Sequence, residues 1–135
     1  GKAAVRRVLL ALAAGAPLAV HACEPPAGFA LRADSARYAV FFRADPPAIS
    51  VGNYFSVEAV ACAKTGGAAP DGLKVDAQMP AHRRGMNSRA TVERSAPGRF
   101  LARGLMFHMP GVWQFVFDVQ RAGDSERATR DLEIK

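Results

Sequence analysis

The chain has 135 residues, 50% of them hydrophobic, and a formal net charge of +6. That length fits one domain with a core of its own. Lys2, Arg6 and Arg7 precede residue 23 and no acidic residue does, so residues 23–135 carry fifteen bases against twelve acids, a net +3. A mild balance with both signs interspersed makes no case for nucleic acid as a partner.

The first 22 residues read as a leader. Lys2, Arg6 and Arg7 form a positive start, residues 8–20 are apolar and uncharged, and Val20, His21 and Ala22 resemble a cleavage site. The apolar run is short for a bilayer span, so the segment is expected to be a secretory signal or a short membrane anchor, set apart from the fold. Export to the periplasm or beyond, with membrane association through the N-terminus as the variant, follows from it. Cys23 comes directly after Ala22, so its thiol is open to lipidation, to a disulfide with Cys62, which an oxidising compartment permits, or to remaining free.

Residues 23–36, with Pro25, Pro26 and Gly28, read as an irregular lead-in, and the domain proper is expected over residues 37–135. Residues 37–43 are aromatic and β-branched enough for a strand, which Pro46 and Pro47 stop. Residues 54–62 alternate, with Phe55, Val57, Ala59 and Ala61 on one face. A Gly-rich loop follows, and then residues 73–79 place Leu73, Val75, Ala77 and Met79 on one face. Residues 82–88 are expected to be a loop, and residues 89–94 and 99–103 a hairpin around Pro97 and Gly98. Residues 105–108 form or prolong a short strand, and Met109, Pro110 and Gly111 make a tight turn. Residues 112–119 are the strongest strand, with Trp113, Phe115, Phe117 and Val119 toward the core, and residues 127–134 read as an edge strand. This pattern predicts an all-β fold, an antiparallel immunoglobulin-like β-sandwich of about seven strands.

The unusual chemistry is concentrated. All four methionines (Met79, Met86, Met106 and Met109) and two of the three histidines (His82 and His108) lie between residues 79 and 109. Thioethers prefer soft Cu(I), and imidazole serves copper in either oxidation state, so Met79, His82, Met86, His108 and Met109 are the candidate copper ligands. The competing explanation is that methionines fill core gaps, His82 is a solvated loop residue and His108 is a buried, hydrogen-bonded structural histidine. Met79 and His108–Met109 each precede a proline at a strand end, where loops gather and ligands are commonly placed. No Ser-His-Asp arrangement, Gly-rich phosphate loop or paired carboxylates can be read, and Cys62 sits mid-strand, so an enzyme is not expected.

Residues 79–87 (Met79, Pro80, His82, Gly85, Met86) together with residues 104–113 (Gly104, His108, Met109, Pro110, Trp113) resemble the YtkA-like group of small exported β-sandwich domains, discussed beside copper-handling proteins of the FixH and CopC kinds. The resemblance spans about residues 37–121. It implies an exported domain associated with copper handling or oxidase maturation. This chain has Arg84 where such motifs often carry a second histidine, and a cation there disfavours an adjacent metal ion. Two functions therefore stand: a copper-binding or copper-delivery domain, and a non-catalytic accessory or docking subunit of a periplasmic or membrane-associated complex.

Overall fold

Nine strands follow one another in the computed structural model, which describes residues 23–135; the expected leader lies outside the described residues. In chain order they are β1 (Leu31–Asp34), β2 (Tyr38–Asp45), β3 (Tyr54–Ala63), β4 (Gly72–Met79), β5 (Arg84–Gly85), β6 (Thr91–Ala96), β7 (Arg99–Met106), β8 (Gly111–Arg121) and β9 (Asp124–Ile134), with one 3-10 turn at Pro80–His82. All pairings are antiparallel, in the order β5-β4-β8-β9-β1-β2-β3-β7-β6. The sheet curls into a half-barrel.

The period-two pattern explains the long strands. On β4 the buried residues are Leu73, Val75, Ala77 and Met79, and on β3 they are Phe55, Val57, Ala59 and Ala61. Strand β8 sends Trp113, Phe115, Phe117 and Val119 inward from the other half of the sheet. The halves meet at Phe42, whose ring lies 5.1 Å from Phe115 and 4.8 Å from Phe117. Tilted rings at such distances add attraction beyond the area they bury.

Strand β2 is buried on both faces. Val40 and Phe42 join the main core, while Ala39 and Phe41 form a second cluster with Phe29, flanked by Cys23, Val60 and Cys62. The segment before β1 therefore covers the outer face of the sheet. A disulfide between Cys23 and Cys62 fastens it there. A thiol held in that bond is not available for lipidation. The guanidinium of Arg43 lies 4.5 Å over the Phe29 ring and that of Arg32 lies 5.1 Å over Phe41, closing the cluster from outside.

The strand count exceeds the expected seven for identifiable reasons. Strand β1 falls inside the expected irregular lead-in, where only Ala33 is buried along the strand. Its pairing to β2 is a tertiary event that local pattern cannot signal. Strand β5 falls inside the expected 82–88 loop and pairs only with Gln78 and Met79. Strand β7 runs unbroken through residues read as two pieces. β1 also changes the architecture, because it borders both β2 and β9 and joins the two halves into one continuous sheet.

The β1–β9 junction consists of a single residue pair, Asp34 with Thr129. Glu126 of β9 reinforces it. Its carboxylate accepts hydrogen bonds from Ser35 Oγ and the Arg37 backbone N–H, each at 2.9 Å, and pairs with the Arg37 guanidinium. The Arg37 N–H, then the Arg37 side chain, hold the Glu126 pKa below the usual carboxylate value. A carboxyl whose native pKa is depressed stabilises the fold above its unfolded pKa and loses that contribution as pH falls through the native one. Glu126→Gln is therefore expected to lower Tm at neutral pH and to flatten the loss of stability on acidification, read from thermal melts across the acid range.

The disulfide closes a sequence separation of 39 residues. On the loop-entropy account such a bridge contributes about 4 kcal/mol. A Cys23→Ser/Cys62→Ser variant is expected to lose stability of that order in urea melts, with the Phe29–Phe41 cluster exposed first and the Phe115–Phe117 core retained longer.

Candidate functional site

One end of the half-barrel collects the close of β4, the close of β7, the start of β8 and the start of β3. The register fixes this: Tyr54 of β3 lies opposite Met106, and Gln78 of β4 lies opposite Gln114. The turns carrying most of the candidate ligands leave from here.

Met79 closes β4 as a core residue, 1% exposed. Its methyl would lie 2.6 Å from a Cβ on Gly111, and Gly111 has φ +135°. Both the tight approach and the backbone angle call for glycine at the first position of β8. The thioether of Met79 thus packs against the start of β8 rather than facing solvent.

The chain then makes the 3-10 turn Pro80–His82. Proline suits the opening of this turn because it needs no N–H there and its φ is preset. Arg83 takes a left-handed conformation, φ 50° and ψ 41°, and its N–H reaches back to the Pro80 carbonyl at 3.3 Å. β5 then returns along β4, with Arg84 opposite Met79. His82 is exposed, and the turn lies beside β8.

Met86 leads away from this end. It is half-buried and lines an open groove with Val75, Asp76, Ser88, Ala90 and Val92, between the free edge of β4 and the segment running into β6. Asp76 guards that edge, its Oδ1 accepting the Ala77 N–H at 2.8 Å. A carboxylate folded over an edge N–H keeps a foreign strand from pairing there.

His108 and Met109 occupy the turn between β7 and β8. Phe107, just before them, is fully buried and stacks on Trp113 at 4.4 Å. The Phe107 carbonyl accepts the Gly52 N–H at 2.8 Å, which holds the turn at residues 50–53 alongside. Trp113 Nε1 donates to the Met109 carbonyl at 2.9 Å, and its ring meets the His108 imidazole edge to face at 5.5 Å. His108 Nδ1 is sealed from solvent and has no hydrogen-bond partner among the described residues. A buried polar atom without a partner costs about 1–3 kcal/mol.

The five sequence candidates thus separate. Met79, His82, His108 and Met109 surround the start of β8, with Met79 facing the core and His82 facing water. Met86 lies along the sheet edge. Cys62 pairs with Ala39 toward the opposite end, so the disulfide stands apart from this group. Among the described residues no group of three or more His, Cys, Asp or Glu is placed to hold a metal ion. A metal held at this end would therefore depend on thioethers as well as imidazole. Two features here escaped sequence reasoning: the orphaned Nδ1 and the Trp113–Met109 hydrogen bond. Each depends on how distant segments meet. No family model, curated protein or solved structure matches the chain.

The contrast between the first two candidates is measurable. Met79→Ala is expected to cost about 2–5 kcal/mol of stability, as large-to-small core changes do. His82→Ala is expected to stay within about 0.5 kcal/mol, as exposed substitutions do. Denaturant unfolding of the two variants checks both.

Proposed function

We propose that this chain is an exported, non-catalytic copper-binding or copper-delivery domain whose site is the turn between β7 and β8. The observation that carries the proposal is His108 Nδ1, a buried imidazole nitrogen without a partner, in a turn flanked by the thioethers of Met106 and Met109. Copper bound there would supply a soft Lewis acid suited to one imidazole and one or more thioethers. His108 and Met109 are the proposed ligands, with the exposed His82 on the adjacent turn as the entry or hand-over donor. Met79 is left out because its side chain fills the core, and Met86 because it lies along the β4 edge.

Three further features support this reading. The resemblance of residues 79–87 and 104–113 to the YtkA-like group points to copper handling. The Cys23–Cys62 disulfide suits an oxidising compartment and hence export. The all-β, antiparallel fold is the coarse character expected of such domains. Arg83 and Arg84 act in the other direction, since nearby positive charge lowers cation affinity. A site so placed would exchange its ion readily, which favours delivery over storage.

The test is a Cu(I) titration of the chain against a competing chelator, alongside His108→Ala, Met109→Ala and Met86→Ala variants checked for folding by circular dichroism. The proposal expects stoichiometric uptake, weakened about tenfold or more in the first two variants and unchanged in the third. Absence of uptake, or equal weakening by Met86→Ala, contradicts it.

A further inference from the structure

A metal ion needs an open lone pair, and His108 Nδ1 does not offer one as it stands. The nitrogen is sealed from solvent, so this conformation leaves no room for an ion at bonding distance. The binding conformation of the turn between β7 and β8 is therefore a different one, and something holds the present one shut.

Both flanks of the turn are fixed in the core. Phe107 and Trp113 are fully buried and stacked on each other, and the Phe107 carbonyl accepts the Gly52 N–H. Residues 108–110 between them belong to no strand. Among the described residues a single hydrogen bond ties them down, the one from Trp113 Nε1 to the Met109 carbonyl at 2.9 Å. Pro110 has no N–H with which to add another. Gly111 follows at φ +135°, a backbone position where the chain can re-orient more freely than at a residue with a side chain.

Two side chains feel the shut state in opposite ways. His108 Nδ1 is buried without a partner, which disfavours it. Met109 packs against the main core, which favours it. One movement of residues 108–110 away from Trp113 would uncover the imidazole nitrogen and lift the thioether from the core, so both proposed ligands come free together.

We infer that the Trp113 indole N–H is a latch: while it holds the Met109 carbonyl the site is shut, and copper binds only a turn whose latch has opened. The inference rests on the copper reading proposed above and adds the control of that site. When only an open fraction of the molecules can bind, the apparent affinity is lowered by that fraction. The shut, empty turn thus competes with the ion, and reclosure after release favours handing copper on. An indole N–H only donates, so Trp113 is a positioning residue and not a ligand.

The experiment uses the full chain and its single tryptophan, whose indole N–H gives a signal of its own. Hydrogen exchange at that group is measured without metal and during a Cu(I) titration against a competing chelator, in the wild type and in His108→Leu. Trp113→Phe and Phe117→Leu are titrated alongside, once circular dichroism has shown that they fold. Without metal, His108→Leu has no orphaned nitrogen and is expected to slow indole exchange about fivefold. Bound copper is expected to leave the indole N–H unprotected. Trp113→Phe keeps an aromatic ring and loses the donor, so it is expected to bind Cu(I) about fivefold more tightly, the opposite of what losing a merely structural contact does. Phe117→Leu, further along the same core, should leave the affinity within about twofold. Unchanged indole exchange in His108→Leu, copper uptake with the indole N–H still protected, or equal or weaker binding by Trp113→Phe overturns the latch and leaves the site standing. Absence of uptake by both the wild type and Trp113→Phe removes the copper reading and the inference with it.

Discussion

Trp113 is the residue on which both the fold and the candidate site depend. Its ring is fully buried, stacks on Phe107, and through Phe107 and Phe115 continues an aromatic column that reaches Phe42 on the facing half of the sheet. Its indole N–H is the one polar group it brings inside, and that group is used to hold the Met109 carbonyl. The turn between β7 and β8 is therefore shaped by a core residue. His108 sits where it does because the neighbouring Phe107 and Trp113 leave its imidazole an edge-on place, with Nδ1 turned inward and unpartnered.

The same economy runs through the rest of the chain. A half-barrel of nine strands joined at one point by a single β1–β9 residue pair needs reinforcement. One contact reinforces it directly, and the disulfide separately fastens the lead-in beside it. Glu126 gathers Ser35 and Arg37 at the β1–β2 turn, and the Cys23–Cys62 bond presses the leading segment onto the outer face of β2. With that face covered, β2 can carry apolar residues on both sides, an arrangement more typical of central strands in layered folds. The open side is left with the guarded edge of β4, and the end with the β7–β8 turn is left for function.

How much of this could be read from residues alone differed by element. The alternation in β3, β4 and β8 announced their inward faces, because a period of two with large apolar residues has few other solutions. β1 and β5 gave no such sign: with one buried residue and none respectively, they exist through their neighbours. At the candidate site, the clustering of Met and His was plain, yet sequence proximity did not decide which side chains share a space. Met79 and Met86 are seven positions apart, but one fills the core and the other follows the sheet edge, because the Arg83 turn reverses the chain between them.

The central claim is that the imidazole of His108 is a metal-binding group rather than a packed core histidine. Its most direct measurement is the side-chain 15N spectrum of the histidines as Cu(I) is added under reducing, oxygen-free conditions. The account predicts that the His108 Nδ1 resonance shifts in proportion to bound copper while its Nε2 changes little. An unmoved His108 signal at saturating Cu(I), whatever His82 does, would contradict it and return His108 to the role of a residue packed against Trp113.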